Sequence, residues 1–330
     1  MNYIGSKHKL SGFILQTVKQ AVGTDLSQQV FCDLFAGTGI VSRVFKPEVK
    51  QIITNDLEYY SYVLNKNYIE NNHPFDYANL FESLNQLNPV KGFIYQNYCL
   101  GSGSNRQYFS DENGMKIDAI RQELAKLKPK IEEGFYYFLL ASLLESADKV
   151  ANTAAVYGAF LKHLKSSAKK KLDLKPALFK SCNQHNEVYN QDGNQLIKNI
   201  KGTILYLDPP YNSRQYGANY HLLNTLSHYQ NFVPKGLTGL PDYKKSDYCK
   251  KNLVLKSFED LIEQAQFKFI FLSYNNEGLM SEEQIKKTMK NYGHYQLEKQ
   301  SYQRFKADKT ESRKHKASQT TEYLHLLEKR

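Results

Sequence analysis

The stretch Thr203-Ile-Leu-Tyr-Leu-Asp208-Pro-Pro-Tyr211 decides the fold of this chain. Its first five residues form an uninterrupted β-prone run, which is typical of a parallel strand buried on both faces. Two prolines then end the strand, because proline cannot donate a hydrogen bond to a sheet. Ligands of open α/β sheets bind outside the carboxyl ends of the strands, so Asp208 and Tyr211 would lie in the functional crevice. The alternative is an ordinary proline-rich turn after a strand.

An earlier segment has the pattern of a nucleotide-binding turn. Val30–Phe35 predicts a second buried strand, Ala36-Gly37-Thr38-Gly39 a turn, and Ile40–Lys46 a helix. Glycines in such a turn let the backbone approach a ligand where a Cβ atom would not fit. The strand, the turn and the helix together predict the beginning of a doubly wound sheet.

The residue Asp56 follows the next predicted strand, Val49–Thr54. An acid at the tip of the second strand suits hydrogen bonds to the hydroxyls of a ribose, although Asp56 also suits the N-cap of the next helix. Dinucleotide enzymes carry a third glycine in the preceding turn, where Ser42 stands in this chain. Enzymes that bind S-adenosylmethionine (AdoMet) need no pyrophosphate cradle, so the turn favours AdoMet as the cofactor.

The rest of the pattern separates a sheet from a helical insertion. Helical periodicity dominates residues 72–185, whereas strands and helices alternate before and after it and end in a strand hairpin. The sequence therefore predicts an α/β protein with a Rossmann-like, mostly parallel sheet and an antiparallel hairpin at its C-terminal edge. Residues 1–71 and 186–330 would form this catalytic domain, and residues 72–185 an inserted, mainly helical domain.

The charge of the chain favours a polyanionic partner, of which nucleic acid is the commonest. The 330 residues include 44 Lys and Arg against 33 Asp and Glu, which gives a net charge of +11. Three consecutive lysines, Lys169, Lys170 and Lys171, stand near the end of the insertion. They predict contacts with backbone phosphates, or else a solvated basic face.

The cysteines and histidines have neither the spacing of a disulfide framework nor that of a metal site. The 4 cysteines are widely separated, without a Cys-x-x-Cys pair, and the 9 histidines are scattered. No apolar stretch approaches the roughly 18 residues of a membrane span, and the N-terminus lacks a signal-peptide core. We therefore expect a soluble, cytoplasmic protein with no metal and no membrane partner.

Three motifs resemble those of adenine-specific (N6) DNA methyltransferases: Asn2-Tyr-Ile-Gly-Ser-Lys7, Asp33-Leu-Phe-Ala-Gly-Thr-Gly39 and Asp208-Pro-Pro-Tyr211. They follow the order of the Dam-like alpha group, which places the recognition insertion between the AdoMet motif and the catalytic motif. The segments Asn212-Ser-Arg-Gln-Tyr216 and Ser273-Tyr-Asn-Asn-Glu-Gly278 are similar to those of relatives that accompany restriction enzymes. The resemblance implies the fold of class I AdoMet-dependent methyltransferases, with the insertion as the target-recognition domain.

The resemblance also implies which residues bind the cofactor. Tyr3 would pack against AdoMet, and Lys7 would lie near the cofactor and the catalytic strand. Asp56 would hold the ribose, and Asp192 the amino group of the cofactor's adenine. The full implied set is Tyr3, Lys7, Asp33, Phe35, Gly37, Gly39, Asp56, Asp192 and Asp208.

The catalytic motif suits methylation of an exocyclic amino group, whose lone pair is conjugated into the ring. Asp208 can accept one amino hydrogen and the Pro209 carbonyl the other, which offsets the positive charge that the nitrogen gains. Tyr211 can stack on a base flipped out of the duplex, and Arg214 would contact DNA nearby. Cytosine C5 methylation needs a cysteine nucleophile, usually after proline, and the chain has no Pro-Cys pair.

The leading hypothesis is a site-specific adenine methyltransferase of double-stranded DNA in a restriction–modification system, with a separate cognate endonuclease as a possible partner. An adenine methyltransferase of RNA and an inactive DNA-binding relative stay open as alternatives. A nicotinamide-dependent dehydrogenase would use the same glycine turn, but it explains neither Asp208-Pro-Pro-Tyr211 nor the positive charge. The sequence specifies neither the DNA target nor the oligomeric state.

Overall fold

The computed structural model describes residues 7–303 and 319–330, and within them seven strands form one sheet. The predicted Tyr3 lies outside the described residues. The strands, in chain order, are β1 (Val30–Asp33), β2 (Gln51–Asn55), β3 (Glu187–Tyr189), β4 (Lys201–Leu207), β5 (Gln266–Asn275), β6 (Gly293–Gln303) and β7 (Gln319–Lys329).

The order of the strands confirms the predicted Rossmann-like sheet. It runs β3-β2-β1-β4-β5-β7-β6, with the first five strands parallel and β7 antiparallel to both β5 and β6. The chain leaves β1 for β2 on one side and returns to β4 on the other. The crevice between β1 and β4 is therefore the switch point where ligands of such sheets bind.

The helices alternate with the parallel strands, as a doubly wound sheet requires. Several begin at a side-chain cap: the Ser281 hydroxyl accepts from the Gln284 N–H, and the Gln284 side chain accepts in return from the Ser281 N–H. The described α-helices are α1 (Ser11–Val22), α2 (Ile40–Phe45), α3 (Tyr59–Asn65), α4 (Ala78–Gln86), α5 (Phe93–Tyr98), α6 (Asp111–Leu127), α7 (Glu133–Val150), α8 (Gly193–Leu196), α9 (Tyr216–Asn219), α10 (His221–His228), α11 (Val254–Gln264) and α12 (Glu282–Lys290).

Hydrophobic side chains pack against both faces of the sheet, which explains why the parallel strands are uninterrupted apolar runs. On one face, Leu205 and Leu207 of β4 pack in a cluster with Phe258 of α11 and Ile285 of α12. The other face carries Phe31 of β1, whose ring stacks on Phe45 of α2 at a centroid distance of 4.0 Å. Burial on two faces fixes the ends of β1 and β4, and these ends position the site.

The chain divides into two compact units. The sheet unit comprises residues 7–65, 183–215 and 244–330, as far as they are described. The helical unit comprises Lys66–Cys182 and Tyr216–Tyr243. The helical unit thus includes α9 and α10, which lie in the range 186–330 predicted for the catalytic domain. The Arg121 guanidinium donates to the Leu226 carbonyl of α10 (Nε–O 2.8 Å), and the Tyr157 N–H donates to the Asn219 carbonyl of α9 (2.7 Å). That the residues 72–185 recognise a target stays a prediction.

Candidate active site

The sheet brings together the ends of the two strands that carry the predicted motifs. β1 ends at Asp33, and Asp208 directly follows the last residue of β4. The two strands are paired, with Asp33 in register with Tyr206. The glycine turn after β1 and the Asp208–Tyr211 segment after β4 therefore lie side by side at the switch point.

Side chains of α3, the helix that follows β2, hold the glycine turn in place. Gly37 and Gly39 have positive φ angles of 53° and 71°, which favour glycine. A Cβ atom on Gly39 would lie 2.5 Å from Asn65 Oδ1. The Gly37 carbonyl accepts hydrogen bonds from Asn65 Nδ2 (3.1 Å) and from the Ser61 hydroxyl. A side chain at position 39 would therefore be strained by the positive φ and would press on Asn65.

The Asp56 carboxylate links the glycine turn to the beginning of α3. Asp56 Oδ2 accepts a hydrogen bond from the Gly37 N–H (2.8 Å), and Oδ1 accepts from the Glu58 N–H (2.9 Å). Burial raises the pKa of Asp56, although these backbone donors act in the opposite direction. Each carboxylate oxygen can accept more than one hydrogen bond, so the bonds leave acceptor capacity for a ribose.

Asp33 is a buried acid with one oxygen unpaired. Its Oδ2 accepts a 2.7 Å hydrogen bond from the hydroxyl of Ser42, the residue in place of a third glycine. Its Oδ1 is buried and meets no donor among the described residues. Burial raises the pKa of Asp33 to about 7, and the nearby Asp208 and Asp56 carboxylates add to this rise. A cationic group of a ligand would satisfy this oxygen and stabilise its charge.

Phe35 lies just after β1, and Asp192 lies just before α8. The Phe35 ring packs edge-on against Tyr248, with the centroids 5.0 Å apart, and a Cβ atom on Gly193 would lie 3.3 Å from Phe35 Cζ. Asp192 Oδ1 accepts hydrogen bonds from the N–H groups of Asn194 (3.0 Å) and Gln195 (3.3 Å). Asp192 therefore caps α8, and its contact with a cofactor stays a prediction.

The catalytic candidate Asp208 belongs to a buried group of three charges. The Lys7 ammonium lies 2.9 Å from Asp208 Oδ1 and 3.0 Å from Glu322 Oε1. The side chains of Lys7 and Glu322 are only 6% and 4% exposed, whereas that of Asp208 is 19% exposed. Burial raises the pKa of Asp208 to about 6, with Lys7 lowering it and Glu322 raising it. Asp208 is thus accessible to a substrate, while its partners are not.

Tyr211 is fixed by the segment that follows β5. Its carbonyl accepts a 2.9 Å hydrogen bond from the Leu279 N–H. Its ring lies edge-on to the Tyr274 ring, with a centroid distance of 6.5 Å and an interplanar angle of 83°. A Cβ atom on Gly278 would lie 2.1 Å from the Tyr274 ring, so this glycine is needed for the ring to take its position. The segment Ser273–Gly278, noticed in the sequence without a role, therefore supports the catalytic motif.

The predicted DNA contacts are exposed in the structure. Arg214 lies in the sheet unit, where its N–H donates to Asn212 Oδ1 (2.9 Å). Lys169, Lys170 and Lys171 lie in the helical unit, and Lys171 pairs with Glu112 at 3.4 Å. The side chain of Asn113 on α6 anchors the backbone of this lysine run. Their contact with DNA stays a prediction.

Glu322, Ser273 and Asn65 also contact the site residues but are not predicted from the sequence. Ser273 had a signal in the quoted motif, whereas Glu322 and Asn65 had none. Within residues 7–303 and 319–330, no group of three His, Cys, Asp or Glu side chains is arranged to hold a metal ion. Nor does that part of the chain contain a helix long and apolar enough to cross a membrane.

Comparison with known proteins identifies the family. Residues 3–289 match the family described as D12 class N6 adenine-specific DNA methyltransferase. The chain is 61% identical to the type II methyltransferase M.NlaIII of Neisseria lactamica, over 100% of this chain and 99% of that protein. It is 38% identical to the type II methyltransferase M.CviAII of Paramecium bursaria Chlorella virus 1, over 93% of each. It is also 39% identical to the type II methyltransferase M.FokI of Planomicrobium okeanokoites, over 100% of this chain but 53% of that protein.

The fold, the adjoining glycine turn and Asp208–Tyr211 motif, and these similarities agree with one another. The chain belongs to the D12 class of N6 adenine-specific DNA methyltransferases.

Proposed function

We propose that the protein transfers a methyl group from AdoMet to the N6 atom of an adenine flipped out of duplex DNA, within a specific target sequence. The observation that carries this proposal is the placement of Asp208, partly exposed at the end of β4 and paired with the buried Lys7. It adjoins the strand whose glycine turn would receive the cofactor. An acceptor for the amino group thus lies beside a site for the methyl donor.

The residues of the crevice fit AdoMet. Asp33 Oδ1, which has no donor among the described residues, would accept the ammonium of the methionine moiety. Gly37 and Gly39 would line that moiety, and Asp56 would hold the ribose hydroxyls. Phe35 and Tyr3 would pack against the cofactor, Lys7 would lie near it, and Asp192 would accept from its adenine amino group. When bound, AdoMet supplies an electrophilic methyl group, and the N6 lone pair forms the new bond as the carbon–sulfur bond breaks.

The chain's own residues prepare the amino group. Asp208 and the Pro209 carbonyl would each accept one amino hydrogen, which draws the nitrogen toward tetrahedral geometry and offsets its developing positive charge. Asp208 would then accept the proton that the methylated nitrogen loses and release it to solvent. Tyr211, held by its carbonyl and its ring, would stack on the flipped base.

The exposed basic residues suit a duplex held by its phosphates. Arg214 would contact DNA near the catalytic motif, and Lys169, Lys170 and Lys171 would contact phosphates without reading the sequence. Reading of the target bases would belong to residues 72–185, the predicted target-recognition domain. These roles are inferred from the exposure and charge of the residues.

A restriction–modification role is supported by the relatives, which are named type II methyltransferases. Methylation of the target would protect host DNA from a cognate endonuclease acting separately, in the cytoplasm. The family description specifies DNA, which disfavours an RNA substrate. The partly exposed Asp208, its buried partner Lys7 and the supported Tyr211 disfavour an inactive DNA-binding relative.

The test is methyl transfer by the purified protein to duplex DNA, single-stranded DNA and RNA of mixed sequence, with AdoMet as the donor. We expect N6-methyladenine in the duplex DNA, identified by mass spectrometry of the digested nucleosides. The Asp208→Ala variant should form none while remaining folded. Methylation of RNA alone, or methylated cytosine as the product, would refute the proposal.

A further inference from the structure

A second buried carboxylate, Glu322, stands behind the Asp208–Lys7 pair. Glu322 lies on β7 opposite Asn275 of β5, and Ser273 of β5 lies opposite Leu324. The Ser273 hydroxyl donates a 2.6 Å hydrogen bond to Glu322 Oε1, the oxygen that lies 3.0 Å from Lys7 Nζ. The arrangement is therefore a chain of contacts from Ser273 through Glu322 and Lys7 to Asp208.

Burial of Glu322 is costly and calls for an explanation. A charged carboxylate taken out of water loses favourable hydration, and a buried ion pair by itself adds little to stability. Lys7 already has a partner in Asp208, so the second carboxylate is not needed to neutralise it. Two carboxylates and one ammonium leave the group with a net negative charge beside the substrate crevice.

We infer that Glu322 is a positioning residue for methyl transfer, which shares the Lys7 ammonium with Asp208 and thereby keeps Asp208 a strong acceptor for the target amino group. This inference rests on the proposed function of Asp208. A lysine paired with Asp208 alone would draw charge from its carboxylate and weaken its hydrogen bond to the substrate. Sharing the ammonium between two carboxylates reduces that loss.

The protonation states agree with this arrangement. Burial by itself would lower the pKa of Lys7, but Asp208 and Glu322 raise it well above its usual value, so Lys7 remains an ammonium. Glu322 also raises the pKa of Asp208. The titratable and charged groups that surround Asp208, and that any pH dependence must include, are Lys7, Glu322, Tyr206, Tyr211 and Asp33.

The geometry also gives a role to the beginning of the Ser273–Gly278 segment. Ser273 fixes Glu322 behind Asp208, while Tyr274 of the same strand packs against Tyr211. Two consecutive residues of β5 thus support the two ends of the Asp208–Tyr211 motif. Side chains of successive strand residues point to opposite faces of the sheet, which allows both supports at once.

The test is the pH profile of single-turnover methylation for Glu322→Gln, at saturating AdoMet and duplex DNA. Glutamine keeps the shape and can still accept from Ser273 and Lys7, so only the charge is lost. Loss of a neighbouring negative charge lowers the pKa of Asp208, and we expect the acid limb of the profile to shift down by about one pH unit. The plateau rate should fall by up to about tenfold, because a weaker base is a weaker acceptor.

The control is Glu298→Gln, which removes the same charge from an exposed position of β6 and should leave the profile unchanged. The AdoMet dissociation constant of Glu322→Gln should stay within about twofold of the wild type, because Glu322 is buried behind Asp208 and glutamine keeps its shape. If Glu322→Gln does not fold, the Ser273→Ala variant provides the test, because it removes the hydrogen bond that holds Glu322 in place and keeps the charge of Glu322. It should shift the acid limb in the same direction by a smaller amount.

An acid limb that does not move in the folded variant would overturn the inference, even if the rate falls, because a purely structural role would lower the rate alone. Failure of the proposed function is distinguishable: the wild type would then form no N6-methyladenine in DNA. If the wild type methylates DNA but the acid limb does not move in Glu322→Gln, only the role of Glu322 is rejected.

Discussion

The backbone N–H of Gly37 donates a 2.8 Å hydrogen bond to Asp56 Oδ2, which ties the glycine turn to the acid at the tip of β2. The same carboxylate accepts from the Glu58 N–H at the beginning of α3. Asp56 thus organises the turn and the helix start. The sequence presented this role and a ribose contact as alternatives, and the structure leaves room for both in the proposal. A change at Asp56 must affect both.

The first prediction concerns Asp56→Ala. The variant leaves two backbone donors without their acceptor, which should lower the free energy of unfolding by roughly 2–4 kcal/mol. Loss of the ribose contact and of the ordered turn should raise the AdoMet dissociation constant at least about tenfold. Isothermal titration calorimetry and chemical denaturation measure the two effects. An unchanged dissociation constant in the folded variant would reject the cofactor role.

The second prediction concerns the pH dependence of stability. The pKa of Asp33 is about 7 in the folded protein, above its ordinary value of 3.8, so the folded state binds more protons between these values. Stability without ligand should therefore fall as the pH rises from about 4 to 7, and Asp208, with a pKa of about 6, adds to the fall. Asp33→Asn should reduce the slope by up to about 1.4 kcal/mol per pH unit.

The measurement is denaturant unfolding at several pH values between 4 and 8. The control is Asp242→Asn, an acid whose side chain is 88% exposed, which should leave the slope unchanged. A slope of Asp33→Asn equal to that of the wild type would mean that Asp33 is already ionised when buried.

The third prediction concerns Gly278→Ala. The added Cβ atom would lie 2.1 Å from the ring of Tyr274, which is itself buried, so the ring must move against Tyr211. We expect the variant to lose roughly 1–3 kcal/mol of stability, as overpacked positions do, and to methylate DNA more slowly. Gly12→Ala is the control and should not slow methylation, because none of the described residues has an atom within 4 Å of the added Cβ. Equal rates for both variants would show that the Tyr274–Tyr211 contact does not support catalysis.

The fourth prediction concerns the three consecutive lysines at positions 169–171. Lys169→Gln with Lys170→Gln should weaken binding to duplexes of any sequence and reduce the slope of log affinity against log salt by about 1–2. Lys171→Gln alone should have a smaller effect, because Lys171 pairs with Glu112 at 3.4 Å. Binding is measured by fluorescence anisotropy at several salt concentrations. A slope that stays the same in the double variant would identify these lysines as a solvated face.

The sheet and its two motifs could be predicted because their signals are local. The buried strands β1 and β4 read as unbroken apolar runs, and the prolines after Leu207 and the glycines after Ala36 mark where the chain turns. Parallel strands then place both strand ends at one edge of the sheet. That β1 and β4 are neighbours, which sets Asp208 beside the glycine turn, is shown by the strand order of the structure.

The contacts that hold the site residues in place could not be predicted, because they join segments that are far apart in the sequence. Glu322 meets Ser273 across 49 positions of sequence, in a contact set by the register of β5 and β7. Helix α5 lacks a local signal for its beginning for a related reason. Its first N–H groups, at Ile94 and Tyr95, are capped by the carboxylate of Asp118 from α6, so no local cap marks its beginning.

The most direct test of the central claim is the methylation pattern that the protein leaves in a living cell. The wild type and Asp208→Ala are expressed in a host that lacks adenine methylation, and the genomic DNA is read by single-molecule sequencing. We expect N6-methyladenine at one recurring sequence motif with the wild type and an unmodified genome with Asp208→Ala. An unmodified genome from a folded, AdoMet-binding wild type, or equal methylation by the variant, would contradict the account.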